Sequence, residues 1–294
     1  MVLTFRKITD IESLELEYIP SLNDKATIVI PVKNEERAIS LVIDELIQEG
    51  YDKRGARELI QMEKRDVQGA PSMQVIIAAL NEQEGIGLTI AELMRCLDAP
   101  KVLVVDGKSS DRTVEVAKNF GAEIVYQSGV GKGDALAKGF EYLDPAADYV
   151  VITDADYTYP AQAIPEMIRI LEENPSVGMV CGNRFHEQNR ISAFDNVYSF
   201  GNKLIALTHN LLNGITLEDP LTGLRVIRPS LLSNWQVKSK GFDVEVELNY
   251  YVERMGFTIV EVPIYYRQRV GEKKLKIQHG FSILKRVMLD AAIT

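Results

Sequence analysis

From residue 73 onward, apolar residues fall into two alternating spacings. Short unbroken runs, including Val75-Ile-Ile77, Lys101-Val-Leu-Val-Val105, Glu123-Ile-Val-Tyr126, Tyr149-Val-Val-Ile-Thr153, Val177-Gly-Met-Val-Cys181 and Thr258-Ile-Val-Glu-Val262, have the length and β-branched content of strands. Stretches with a helical period lie between them: Ser110 to Asn119, about Asp134 to Tyr142, Ala163 to Glu173 and, in a longer-looped second half, near 199–213, 243–255 and 277–290. Ser109, Ser110 and Asp111 supply the chemistry of a helix start. Such alternation of strand and helix predicts an α/β chain built on a mostly parallel sheet.

The same pattern occurs once more upstream. Thr27–Ile47 lies over Gln74–Met94 at an offset of 47, with matches at Ile30/Ile77, Asn34/Asn81, Glu35/Glu82, Ile39/Ile86 and Glu45/Glu92. Each copy reads as strand, turn and amphipathic helix. Two copies are too few to close a repeat array, so a duplicated β-α unit is predicted. The second copy is expected to fill the first-strand slot, because its helix runs within a few residues into Lys101–Asp106. Between the copies, Asp52–Ser72 is charged, has only sparse apolar positions and ends in Gly-Ala-Pro-Ser, the pattern of an exposed helix and a linker.

Charge narrows the function classes. The 294 residues carry 33 Lys plus Arg against 42 Asp plus Glu, a formal charge of −9. That balance excludes a general nucleic-acid binder, which needs a basic footprint to displace counterions. With 46% apolar and 26% charged residues, the chain is neither disordered nor collagen-like nor disulfide-stapled. Cys96 and Cys181 have apolar surroundings and no CxxC spacing, so buried thiols in a reducing compartment are expected. No stretch approaches the roughly 20 apolar residues that span a bilayer, and Met1–Tyr18 carries acids where a signal peptide has its apolar core. A cytoplasmic chain is expected, and the apolar-periodic end at Thr294, without a glycine or proline stop signal, leads us to expect further residues beyond it.

Three segments carry chemistry. Asp154-Ala-Asp156 follows an apolar strand directly, and two carboxylates at the carboxyl end of a parallel strand project into the crevice where open α/β sheets bind ligands. Hard oxygen donors there suit Mg²⁺ or Mn²⁺ on a nucleotide diphosphate. In Val104-Val-Asp-Gly-Lys-Ser-Ser-Asp-Arg-Thr113, Asp106 is the candidate for hydrogen bonds to a base or ribose, while Asp111 reads as helix-start chemistry. Gly129-Val-Gly-Lys-Gly-Asp134 lets a backbone approach a ligand closely, but its spacing matches neither a Walker loop nor GxGxxG.

Taken in order, Asn81-Glu82, VVDGKSSDRT, GVGKGDA, TDADYTYP, GNRF, DPLTGLR, GFDVEVEL and YYRQRVGEKKL resemble glycosyltransferase family 2, and within it the dolichyl-phosphate or polyprenyl-phosphate hexose synthases. The resemblance covers roughly residues 73–280. It implies a GT-A-type, Rossmann-like catalytic domain over 73–276, preceded by an extension over 1–72 that holds the duplicated unit and linker and followed by a basic amphipathic helix over 277–294. By similarity, Ala78, Leu80, Glu82 and Asp106 would hold the nucleotide, with Lys132, Asp134 and Ala155 beside it. Asp154 and Asp156 would hold the metal. Arg184 and the cations of Arg267-Gln-Arg-Val-Gly-Glu-Lys-Lys274, Arg269 and Lys274 foremost, would bind phosphate groups of donor and acceptor, for which arginine's bidentate fork is suited. Two positions depart from the family. Its usual first-strand proline is Ala78 here, whereas the upstream copy keeps Pro31, and the polar group two residues past the second carboxylate is Thr158.

The implied reaction is transfer of a hexose from GDP- or UDP-hexose to polyprenyl or dolichyl phosphate, with inversion. A phosphate acceptor is already largely ionised near neutral pH, its second pKa being about 6, so it needs no general base. A hydroxyl acceptor needs one, and Asp219 and Glu245 are the candidates, Asp219 reading equally as a turn residue before Pro220. A non-catalytic sugar-nucleotide-binding protein is the third reading. From Arg267 to Arg286 the chain holds seven Lys/Arg and one acid, Glu272, interleaved with apolar residues, a pattern equally suited to an anionic membrane surface or to a solvated helix packed on the core. The scattered His186, His209 and His279 read as no metal site.

Overall fold

The computed structural model describes residues 71–185, 196–272 and 279–292. The chain divides into two units, Met1–Gln68 and Gly69–Thr294. The upstream copy at Thr27–Ile47, the charged stretch before Ala70, His186 and Lys274 lie outside the described residues.

The expected alternation is present. In chain order the elements are β1 (Met73–Ala79), α1 (Ile86–Cys96), β2 (Lys101–Asp106), α2 (Thr113–Asn119), β3 (Glu123–Tyr126), α3 (Lys132–Phe140), β4 (Tyr149–Asp154), a 3₁₀ turn (Ala161–Ala163) leading into α4 (Ile164–Glu173), and β5 (Val177–Asn183). There follow α5 (Asn196–Asn213), β6 (Arg225–Ile227), α6 (Pro229–Ser233), α7 (Val244–Arg254), β7 (Thr258–Pro263) and α8 (His279–Ala291). One sheet of seven strands results, ordered β3-β2-β1-β4-β6-β5-β7. Only β6 runs against its neighbours, β4 and β5. The strand was not expected from sequence, because its three residues begin with an arginine. The Arg225 guanidinium is nonetheless buried, donating to the carbonyls of Thr222 and Pro220 and to Asn249 Oδ1.

Period-two alternation within the strands divides the core between the two faces of the sheet. Val75, Ile77, Val104 and Val151 pack under Ile86, Ile90 and Leu93 of α1 and Ile164, Met167 and Leu171 of α4. Ile76, Leu103, Val105 and Ile152 pack under Leu136 of α3 and Val244, Leu248 and Val252 of α7. Trp235 is buried and lies 5.8 Å from the Tyr251 ring. Cys181 is buried and its thiol is pushed up to about 12 by desolvation, whereas Cys96 is only half-buried.

Chain order reverses between β1 and β4, since β2 and β3 extend to one side of β1 and β4 pairs on the other. Ligands of open α/β sheets bind at such a switch point, outside the carboxyl ends of the strands. The register sets Ala78 opposite both Val105 and Asp154, so the segment Ala78–Glu82 and the Asp154–Asp156 turn leave the sheet side by side.

Candidate active site

The glycine segment that precedes α3 is a platform for one lysine. Gly129 N donates to Asp134 Oδ2 at 2.7 Å and closes the turn, and Gly133 N donates to Lys240 O at 2.9 Å. Lys132, at the start of α3, points into the switch point, where its Nζ lies 2.6 Å from Asp154 Oδ1 and 2.7 Å from Glu245 Oε1. Burial opposes its charge, but the two carboxylates outweigh burial and raise its pKa, so the ammonium is retained at all working pH values. A Cβ on Gly133 would meet Ser239 O at 2.2 Å, backbone against backbone. Gly133→Ala is therefore expected to push the start of α3 off residues 238–241, costing about 1–3 kcal/mol. Chemical denaturation of the two proteins side by side checks this, and a midpoint equal to that of the wild type would refute it.

Asp156 is buried, and its pKa is raised by desolvation first and by the adjacent Asp154 charge second. Two partners oppose the shift. Thr158 Oγ1 donates to Asp156 Oδ1 at 2.6 Å, and Arg269 donates from Nη1 to Asp156 Oδ2 and from Nη2 to Glu82 Oε1. The arginine fork thus bridges the loop after β1 and the turn after β4.

A second ion pair stands beside this cluster. Arg184, just after β5, donates from Nε and Nη2 to the two oxygens of Asp219, both at 2.6 Å, and from its backbone N at 3.0 Å. Asp219 is only 1% exposed. Its loop is held by Glu261 of β7, which accepts from the backbone N of Glu218 and of Asp219 at 2.7 Å each; burial raises the Glu261 pKa. The Arg184 guanidinium lies 5.4 Å from the Tyr266 ring, and Tyr266 meets Tyr159 edge-on at 5.1 Å. Tyr159 Oη accepts from Gly223 N at 2.6 Å, and Gly223 backs onto the Asp154 carboxylate. Both tyrosine pKa values are raised by burial.

Of the residues singled out from sequence, the structure brings Glu82, Lys132, Asp154, Ala155, Asp156 and Arg269 together at the switch point, with Arg184 and Asp219 paired alongside. Asp106 is buried at the end of β2 but spends its carboxylate on Ser109, accepting from the backbone N at 2.9 Å and from Oγ at 2.5 Å. Asp111 accepts from Gln83 N and Thr113 N, tying the turn to the loop after β1, and α2 begins at Thr113 rather than at Ser110. Leu80 is exposed at the lip, and Asp134 closes the glycine turn. His209 is buried against Asn213, and desolvation lowers its pKa to about 4. Sequence reasoning gives no role to Tyr266 and Gly223, which lie within the YYRQRVGEKKL and DPLTGLR motifs, or to Glu261, and the partners of all three are more than 40 residues away.

Comparison with known proteins shows the family and the fold. Residues 74–234 match the family model described as Glycosyl transferase family 2. A Haloferax volcanii protein named dolichyl-phosphate hexose transferase is 33% identical over 205 residues, covering 69% of this chain and 86% of that protein. A Micrococcus luteus undecaprenyl-phosphate mannosyltransferase is 29% identical over 211 residues, covering 68% of this chain and 86% of that protein. Among solved structures, glucosyl-3-phosphoglycerate synthase from Mycobacterium tuberculosis in complex with uridine diphosphate shares the fold, with a TM-score of 0.62 at 20% identity, covering 78% of this chain and 83% of that one. The same synthase in complex with Mn²⁺, uridine diphosphate and glucosyl-3-phosphoglycerate gives a TM-score of 0.61 at 21% identity, covering 78% and 83%.

Proposed function

The chain belongs to glycosyl transferase family 2 and is a glycosyltransferase of the GT-A fold, and from that premise we propose that it transfers a hexose from GDP- or UDP-hexose to a polyprenyl or dolichyl phosphate, with inversion and with Mg²⁺ or Mn²⁺ on the donor's diphosphate. The observation that carries the proposal is the meeting, at the ends of β1 and β4, of the Asp154 and Asp156 carboxylates with the Lys132 and Arg269 cations.

The donor set fits the cation. Asp154 and Asp156 offer hard oxygens at one strand end, and no group of three His, Cys, Asp or Glu side chains able to cage a metal occurs among the described residues. Diphosphate oxygens and water would complete the shell, the usual manner of Mg²⁺ binding. Bound there, the ion would neutralise charge that develops on the departing diphosphate. Lys132 keeps its proton and orients Asp154. Arg269 would meet phosphate oxygens by giving up one of its two carboxylate contacts.

The state of the acids supports a phosphate acceptor. Both base candidates are paired with cations, Asp219 through both oxygens with the Arg184 fork and Glu245 through Oε1 with Lys132. An ionised phosphate acceptor needs neither, and its in-line attack on the anomeric carbon inverts the configuration. A lipid acceptor also accounts for an exposed apolar surface. On α5, Leu204, Leu207 and Leu211 are exposed at helical spacing, and α8 exposes Phe281, Met288 and Leu289, while Ile205, Ile283 and Val287 bury the opposite faces against Val246. These helices would rest on the cytoplasmic face of a membrane; no helix among the described residues is long and apolar enough to cross one.

Calorimetric titration of GDP, UDP, GDP-mannose and UDP-glucose, each with and without Mn²⁺, tests the reading. Metal-dependent binding of one nucleotide is expected, followed by transfer from its sugar form to a short-chain polyprenyl phosphate. Binding of none of the four would overturn the donor assignment, and transfer to a hydroxyl acceptor alone would overturn the acceptor assignment.

A further inference from the structure

One stripe of α1, continued at its N-terminal end by Gly85, packs along the Asp154–Thr158 turn and the residues that flank it. Gly85, Thr89 and Glu92 are spaced i, i+4 and i+7, which sets them in one stripe. At Gly85 the backbones nearly touch, since a Cβ there would lie 2.7 Å from Ala155 O and 2.8 Å from Asp156 Cα. Thr89 Oγ1 donates to Ala155 O at 3.3 Å and accepts from Tyr157 N at 3.1 Å. Tyr157, between the second carboxylate and Thr158, has φ 63°, a left-handed conformation that costs energy for a bulky side chain and persists only where its surroundings impose it.

Glu92, the last member of the stripe, reaches this turn through an arginine 175 residues away. Its carboxylate accepts from Arg267 Nη1 at 2.8 Å and Nη2 at 2.7 Å, and also from Gln162 Nε2 at 2.6 Å. Burial resists the charge on Glu92, yet these donors hold its pKa below the ordinary glutamate range. The Arg267 guanidinium so fixed lies over the Tyr157 ring, 4.5 Å from its centre. From the same residue the backbone N donates to Thr158 O at 2.9 Å, and Val270 N donates to Asp156 O at 3.2 Å. The strap 267–270 is therefore laid along 156–158, with Arg269 on Asp156 and Glu82.

We propose that Glu92 and Arg267 are positioning residues for glycosyl transfer: Glu92 locks the Arg267 fork over Tyr157, and the pair thereby holds the Asp154–Thr158 turn, with Asp156, in the geometry that receives a divalent cation and the donor's diphosphate. The inference rests on the reading of that turn as the cation and diphosphate site. It assigns Arg267 to the support of the site rather than to phosphate binding. A buried ion pair adds little net stability over apolar residues of similar volume, so its fork and stacking matter here for placement.

The test uses the full chain and the variants Glu92→Gln, Arg267→Gln, Arg267→Lys and Tyr157→Gly. Binding of Mn²⁺ is read from the spectrum of the free ion by electron paramagnetic resonance, with the metal alone and with whichever of UDP or GDP the wild type takes. Donor KM, kcat and the thermal midpoint are measured alongside. Glu92→Gln and Arg267→Gln are expected to stay folded and to weaken Mn²⁺–nucleotide binding by about 10–100-fold, the usual effect of losing an outer partner of a metal ligand. Arg267→Lys should recover only part of this, since lysine keeps charge but neither fork nor stacking. In the Tyr157→Gly background, where positive φ carries no penalty, adding Arg267→Gln should cost less than about 2-fold more. Wild-type Mn²⁺–nucleotide affinity in the Gln variants, with only the thermal midpoint lowered, would overturn the inference, as would full recovery by Arg267→Lys. Should a Gln variant fail to fold, the Lys and Gly proteins carry the same comparison. Absence of Mn²⁺–nucleotide binding by the wild type would instead overturn the assignment of the turn itself.

Discussion

Asp156→Asn is expected to lower kcat/KM by about 10²–10³-fold while leaving the fold intact or slightly more stable. The loss follows from charge. The amide keeps the shape of the carboxylate and can still accept from Thr158, but it no longer offers an anionic oxygen to a cation on the diphosphate, and removing one preorganised electrostatic partner of a developing charge typically costs 10²–10³ in rate. The unchanged or raised stability follows from the same site. Asp156 is buried beside the like-charged Asp154, and both influences raise its pKa, so its ionised form is held against desolvation and repulsion. Arg269 loses one of its two carboxylates but keeps Glu82. Steady-state kinetics across a Mn²⁺ series, with thermal unfolding of both proteins, checks the pair of effects. Activity within a few-fold of the wild type at the same metal requirement would remove Asp156 from the reaction.

The parts of this fold that sequence disclosed were those with local signals. Unbroken apolar runs flanked by helical periods locate six of the seven strands of the sheet: β1, β2, β4 and β5 because strands covered on both faces read as continuous hydrophobic stretches, and the edge strands β3 and β7 because their short runs are rich in β-branched residues. β6 was not disclosed, since its burial of Arg225 depends on the carbonyls of Thr222 and Pro220 and on Asn249 rather than on hydrophobicity. The start of α2 was misplaced for a related reason. Ser109 and Asp111 have the composition of caps, but Ser109 serves Asp106 and Asp111 reaches back to Gln83 as well as to Thr113. At the site, the carboxylates after β4 could be read from their place at a strand end. Their partners could not: Arg269 meets Glu82 across 187 residues, and Arg184 meets Asp219 across 35. No spacing rule links residues that distant; only the order of strands brings them together.

The Arg184–Asp219 pair yields the second large effect, because it separates support from proton transfer. Arg184→Met leaves Asp219, 1% exposed, with its charge opposed by no guanidinium and with the nearby Glu261 adding repulsion. Breaking a buried pair from one side typically costs 3–5 kcal/mol, and a loss of about that size is expected. Asp219→Asn should cost less, since the amide oxygen can still accept from Arg184 and the backbone N of Arg184. In the double replacement no buried charge is left alone, so its cost should fall below the sum of the two single costs, as for any pair in direct contact. Activity divides the two roles of Asp219. If it serves to aim Arg184, Asp219→Asn retains a measurable fraction of turnover and its pH profile is unchanged, whereas Arg184→Met abolishes transfer even at temperatures where the protein is folded. If Asp219 accepts a proton from a hydroxyl acceptor, Asp219→Asn is as inactive as Arg184→Met and the acidic limb of the pH profile disappears. The fork geometry, both oxygens bonded at 2.6 Å to one guanidinium, favours the first outcome, and with it an acceptor that arrives already ionised.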